Sequence, residues 1–167
     1  QGPLPQRQLD ELATRSPASW RLLQAQPDLQ LQAQRVLTGS EFVLRSMLQD
    51  DALLGELWSS GALEATRSAE DYQSMLARLA AETPLVEADL SRVLRRLRRR
   101  EMARIAWRDI AGLATTEQTL REVSAFATVV IAGACDLEQV VNDKRRFDVG
   151  FRRERAEREL SQEGSGE

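Results

Sequence analysis

From Leu85 to Ala111 the chain runs without a proline or a glycine, the two residues that most readily break a helix. The spacing predicts one helix from about Leu85 to Leu113, stopped at Gly112, and at about 1.5 Å per residue it would extend roughly 40 Å. Leu90, Val93, Leu94 and Leu97 form its first apolar stripe. After Glu101 the apolar positions move to Met102, Ile105, Ala106, Ile110 and Leu113, a rotation of about 100° for a straight helix of about 3.6 residues per turn. Its two halves therefore face different neighbours.

The remainder reads as shorter helices separated by start and stop signals. Ser16-Pro17 offers an N-cap and a proline at the first helical position, and the helix carries Trp20 and Leu23 to Gln26-Pro27. A second helix runs from about Asp28 to Leu37 and stops at Thr38-Gly39. Ser40 caps a third, in which Phe42, Val43, Met47 and Leu48 share one face. The acid pair Asp50-Asp51 marks a junction into Ala52–Trp58, closed by Gly61. Ser68 with Asp71 is a variant capping box ahead of Tyr72, Met75, Leu76 and Leu79, and the helix ends before Thr83-Pro84. Thr115 with Gln118 opens the last strong helix, carried by Leu120, Val123, Phe126, Ala127, Val130 and Ile131 to about Cys135.

Composition agrees with this reading. Apolar residues make up 42% of the 167, aromatics are scarce, and Ala, Leu, Gln, Glu and Arg dominate. The expected fold class is all-α, a helical bundle of five to seven helices with one long Arg-rich helix and no β-sheet. Residues 1–15, punctuated by Pro3 and Pro5, read as a flexible lead-in, and residues 16–135 as the helical domain. Residues 136–160 form a charged, divergent C-terminal helical segment, with Glu154 and Arg158 at i,i+4 spacing. Residues 161–167, with Gly164-Ser165-Gly166, read as a disordered tail.

The residue inventory excludes several chemistries. No histidine is present, which removes the Ser-His-Asp triad, the Cys-His pair, the histidine metal ligand and the histidine pH switch. Cys135 stands alone, so no intrachain disulfide forms, in keeping with a reducing cytoplasm. That cysteine closes an apolar helix far from Lys144 and Arg145, which fits a small buried residue rather than a reactive thiol. The longest apolar run, Phe126 to Cys135, is too short for a bilayer, and no signal-peptide pattern opens the sequence. No metal site and no catalytic residue is expected.

The net charge of −3 hides an asymmetry: eight arginines fall between Arg92 and Arg108, with Glu101 as the one acid inside that span. Arg92, Arg95, Arg96 and Arg99 cluster opposite the first apolar stripe, the pattern of a solvated helix face. The functional alternative is that these four hold an anion or an acidic partner. Nucleic acid is disfavoured, because interleaved aromatics are missing and the overall charge is negative. Of Arg100, Arg104 and Arg108, two project toward the first apolar stripe after it rotates, where buried charge needs partners, and Glu101, Asp109 and Glu122 are available for structural ion pairing of the three. Trp20, Trp58 and Trp107 sit among aliphatic residues at helical spacing and read as packing anchors.

Two stretches carry a resemblance: Arg35 to Leu57, with the helix start Ser40-Glu41-Phe42-Val43, and Leu94 to Leu113, with the run Arg104-Ile105-Ala106-Trp107-Arg108-Asp109. Together with the helix from Thr116 to Ala127, these resemble the N-terminal helical region of the bifunctional glutamine synthetase adenylyltransferase and adenylyl-removing enzymes over about residues 30–135. The resemblance implies a role in nitrogen regulation by AMP transfer to, and removal from, a tyrosine of glutamine synthetase. It implies ATP and magnesium as the family's cofactors, none of them held by this chain. The partners it implies are glutamine synthetase, a PII signalling protein and a catalytic domain that this chain lacks. The family's chemistry needs a Gly-x-Gly-Lys-Leu-Gly phosphate cradle and an Asp-x-Asp metal pair. Neither occurs here, and no two aspartates lie two residues apart. The chain is thus expected to be inactive alone, as a fragment or truncated form. The alternative is a free-standing interaction module whose Arg-rich helix docks an acidic surface.

Overall fold

The computed structural model describes residues 6–82 and 87–133. In chain order the helices are α1 (Gln6–Arg15), α2 (Pro17–Ala25), α3 (Pro27–Gly39), α4 (Glu41–Gln49), α5 (Leu53–Ser59), α6 (Ala69–Glu82) and α7 (Glu87–Ala111). An eighth, α8, covers residues 116–133. The described residues contain no strand, and the fold is all-α. Thr83-Pro84, Leu85, the Leu90 side chain, Cys135, the 136–160 segment and the 161–167 tail lie outside the described residues.

One helix more than the upper expected count comes from α1, placed where a flexible lead-in was expected. Pro3 and Pro5 lie upstream of it, and nothing within 6–15 breaks a helix. Gln6 Nε2 donates to Asp10 Oδ1 at 2.9 Å and Arg15 Nη1 to Glu11 Oε1 at 2.7 Å, both at i,i+4 spacing. Leu12 is completely buried, and Leu9 packs beside it against the main core. Two leucines on one face suffice to dock a short helix when a core is there to receive them.

The helix starts show which caps were local. Ser40 Oγ accepts from the Val43 amide. The Ser68/Asp71 box closes in both directions, Ser68 N donating to Asp71 Oδ2 at 2.7 Å and Asp71 N to Ser68 Oγ at 3.3 Å. The Thr115/Gln118 box does the same at 2.9 and 3.2 Å. Ser16 differs. It precedes Pro17 as expected, but its side chain caps nothing. The orphan amides of α2 are taken by Asp51 from across the fold, whose Oδ1 accepts from Ala18 N at 3.0 Å and Ser19 N at 3.1 Å. The Ser16 hydroxyl, buried, lies 2.9 Å from that same oxygen and 3.0 Å from the Met47 carbonyl. Gly61 and Gly112, at φ +68° and +78°, end α5 and α7 in the left-handed region that a side chain disfavours.

Two cores share α7. The first gathers leucines and valines of α1 to α5, among them Leu29, Val36, Leu37, Val43, Leu54 and Leu57, and meets α7 at Ala103, Trp107 and Ala111. The second is made of Tyr72 and Leu76 from α6, Leu97 from α7, and Phe126 and Val129 from α8. The Tyr72 and Phe126 rings lie 5.0 Å apart, tilted by 59°, an edge-leaning contact that aromatic quadrupoles favour. The two halves of α7 thus face different neighbours. Its C-terminal half is wrapped more widely than an apolar stripe would be: Met102, Ala106, Ile110 and Leu113 are half-buried, while Ala103, Ile105, Trp107 and Ala111 are buried.

In α8 the buried face only partly follows the apolar stripe. Glu122, Phe126 and Val129 point inward, while Leu120 and Ile131 remain 63% and 66% exposed and Ala127 is exposed as well. This phase brings Glu122 to the buried arginines of α7 and Phe126 and Val129 into the second core.

Candidate functional site

The arginines of α7 divide into two populations. Toward its N-terminus Arg92, Arg95 and Arg96 are exposed, with Arg99 and Arg100 half-buried. Arg96 spans Asp50 and Glu56, with Nε to Asp50 Oδ2 and Nη2 to Glu56 Oε1 both at 3.2 Å. Arg100 adds a third contact to Glu56, also at 3.2 Å. Arg92 leans on Asp89 at 3.4 Å. Exposed pairs of this kind contribute little to stability, but they neutralise the patch locally. Among the described residues Arg95, Arg98 and Arg99 form no ion pair. Of the four arginines grouped by the helical wheel, Arg92 and Arg96 are engaged within the chain, while Arg95 and Arg99 make no ion pair among the described residues.

Arg104 and Arg108, one turn apart, are buried between the two cores. Arg104 uses its whole guanidinium. Its Nε donates to Glu101 Oε2 at 2.9 Å, Nη1 to the Ala65 carbonyl at 2.8 Å and the Ala62 carbonyl at 3.3 Å, and Nη2 to Glu122 Oε1 at 2.9 Å and Tyr72 Oη at 3.0 Å. Burial works against its charge, but the Glu122 hydrogen bond and the Glu101 carboxylate more than offset this, so its pKa lies above the ordinary arginine value. Arg108 donates to the Leu63 carbonyl at 2.7 Å and to Thr66 Oγ1 at 3.0 Å, with Glu122 Oε2 3.8 Å from its Nε. Its pKa is pushed down, first by burial and then by Arg104, with Glu122 opposing. Arg67 completes the cluster, its guanidinium on Glu101 and its amide donating to Glu122 Oε1. Burial likewise raises the Tyr72 phenol.

The residues expected to form structural ion pairs are thus brought together except for one. Glu101 and Arg104 meet, Arg100 reaches Glu101 only at 4.0 Å, and Arg108 is near Glu122. Asp109 stands apart, exposed, accepting from Thr119 Oγ1 at 2.8 Å, because position 109 falls on the outer side of α7. Tyr72 and Arg67 belong to the cluster although their sequence positions did not group them. A phenol on an apolar helix face is the one signal that pointed there, since its hydroxyl requires a partner when buried.

Chemically this cluster is a lock between helices and a loop. Its guanidinium groups are directed at carboxylates, loop carbonyls and the Thr66 and Tyr72 hydroxyls. The adjoining cleft of about 470 Å³, bordered by Arg67, Ser68, Asp71, Gln118, Arg121 and Glu122, has its cations committed as well, Arg67 to Glu101 and Arg121 to Glu117. Among the described residues no group of three or more His, Cys, Asp or Glu side chains is placed to hold a metal ion, and no helix is long and apolar enough to cross a membrane.

Residues 30–161 match the family model described as glutamate-ammonia ligase adenylyltransferase. The chain belongs to that family. The match to the adenylyltransferase family begins within the first turn of α3, covers α4 through α8 and continues to residue 161, past residue 135 where the sequence resemblance was drawn to end. Relatives within it are bifunctional glutamine synthetase adenylyltransferase/adenylyl-removing enzymes. That of Pseudomonas aeruginosa is 39% identical over 116 residues, covering 68% of this chain and 12% of the relative. That of Nitrosococcus oceani is 38% identical over 95 residues, 57% of this chain and 10% of the relative. That of Pseudomonas syringae pv. tomato is 34% identical over 124 residues, 74% and 12%. The chain therefore spans only about a tenth of the length of these adenylyltransferases. No solved structure gives a significant match.

Proposed function

We propose that this chain is the N-terminal helical part of an enzyme that adenylylates and deadenylylates a tyrosine of glutamine synthetase, and that it contributes packing and partner contacts rather than chemistry. One observation carries the reading: the family match runs from within α3 through α8, and the polar residues concentrated there are spent on holding helices and a loop together. AMP transfer needs metal-bound phosphates and an activated nucleophile in fixed geometry. The donor set of these helices, rich in arginine, does not fit magnesium, which takes carboxylate and water oxygens. ATP and magnesium accordingly act on residues outside these helices. The reading extends to a cytoplasmic enzyme of nitrogen assimilation under a PII signalling protein.

Incubating the purified chain with glutamine synthetase, magnesium and labelled ATP tests this. The target tyrosine should stay unlabelled, and the same mixture completed with the rest of the enzyme should label it. Label above a no-protein control from the chain alone would overturn the division of labour.

A further inference from the structure

Part of the apolar stripe that the sequence marks on α8 is left uncovered by the described residues. Leu120, Val123, Ala127 and Ile131 repeat at helical spacing, yet Leu120 and Ile131 are among the most exposed large apolar side chains described, at 63% and 66%. Beside this stripe α7 and α8 enclose a groove of about 350 Å³. Met102 and Phe126 form part of its lining, Val123, Ala127 and Ile131 another part, and Arg98 is the charged residue that borders it. Arg95, one turn before Arg98, and Arg99, next to it, add two further cations on the same helix. These are the three arginines of α7 that make no ion pair among the described residues, whereas Arg92, Arg96 and Arg100 are paired with Asp89, Asp50 and Glu56.

We propose that the α7/α8 groove is a docking site for an amphipathic helix of a separate polypeptide, apolar on one face and acidic along the edge that meets Arg95, Arg98 and Arg99. The apolar walls supply the contact area, and the cations left without an ion pair among the described residues choose the partner's charge. A helix is the fitting shape, since its i, i+4, i+7 anchors match a stripe that repeats on the same period. The basic edge argues against a second copy of the same surface, because two such grooves face to face would oppose arginine to arginine. The proposal does not depend on which enzyme the helices serve.

The test uses the full chain and three synthetic helical peptides of about 20 residues, long enough to fold on binding. All share leucines on one face, and they carry glutamate, lysine or a scrambled order along the flank. Fluorescence anisotropy should report binding of the glutamate peptide alone. Ile131→Glu and Val123→Glu should each weaken it by about tenfold or more, the loss expected for a central apolar anchor. Arg98→Glu should weaken the glutamate peptide and admit the lysine peptide. Arg96→Glu should change neither. Ile131 is exposed, so its variant should melt with the parent, separating lost binding from lost fold. A photo-crosslinker at position 131 identifies the occupant: capture of the glutamate peptide supports the site. Cross-links to residues 134–167 of the same chain, or to a second copy, would overturn it, as would equal binding of all three peptides.

Discussion

Arg104 and Glu122 meet through Nη2 and Oε1 at 2.9 Å with 0% and 2% of their side chains exposed, joining α7 to α8 where the two cores abut. A buried pair is costly to assemble, but removing one partner strands the other charge. Arg104→Ala and Glu122→Ala should therefore each destabilise by about 3–5 kcal/mol in urea melts. The double variant should lose clearly less than the sum, with a coupling of roughly 1 kcal/mol or more. Additive losses would show that the contact carries no interaction energy.

Asp51 provides the N-cap of a helix more than thirty residues earlier in sequence, from Ala18 and Ser19. Asp51→Ala should cost about 1–2 kcal/mol at neutral pH. Burial raises the Asp51 pKa, but hydrogen bonds from the Ser19 and Ala18 amides and the Ser16 hydroxyl, with the Arg21 charge, hold it below the ordinary carboxylate range. A depressed pKa means that the stabilisation is complete above the unfolded value, about 3.9, and is lost as pH falls through the lower folded value. The gap between parent and Asp51→Ala, followed by chemical denaturation from pH 6 downward to about 2.5, should close only below about pH 4. A gap unchanged across that interval would remove the charged cap.

Leu97 is 8% exposed in the second core, while the neighbouring Arg96 side chain is 58% exposed. Leu97→Ala should cost about 2–4 kcal/mol through lost transfer energy and cavity formation. Arg96→Ala, despite two ion pairs, should stay within about 0.5 kcal/mol. Equal effects would mean that α7 is turned differently.

Gly112 ends α7 at φ +78°, with open space around the position a Cβ would take. Strain alone should decide the outcome, so Gly112→Ala should destabilise by roughly 1–2 kcal/mol, and Gly112→Asn, which tolerates the left-handed region, by less. Thermal melts that rank the two variants the other way would contradict this.

Much of the helical order was legible because its signals are local. The Ser68/Asp71 and Thr115/Gln118 boxes, the Ser40 cap and the Gly112 stop each depend on residues within a turn. What the sequence concealed depends on distant partners. The short helix α1 gains order from the core that receives Leu12, and α2 is capped by Asp51 rather than by its own Ser16. The phase of α8 was hidden for the same reason: a wheel weighs Leu120 and Ile131 as inward residues, but Glu122 has buried arginines to satisfy. Pairing of Arg104 with Glu101 was visible at i,i+3 spacing, whereas the pair to Glu122 required the tertiary fold.

The segment between α5 and α6 takes its shape from elsewhere in the chain. Its carbonyls at Ala62, Leu63 and Ala65 accept from Arg104 and Arg108, and a carbonyl is the same whichever side chain accompanies it. At an exposed position such as Ala65, replacement should leave the path of the loop intact. Two arginines on a neighbouring helix thus set the path of this loop, so its shape is written outside its own sequence.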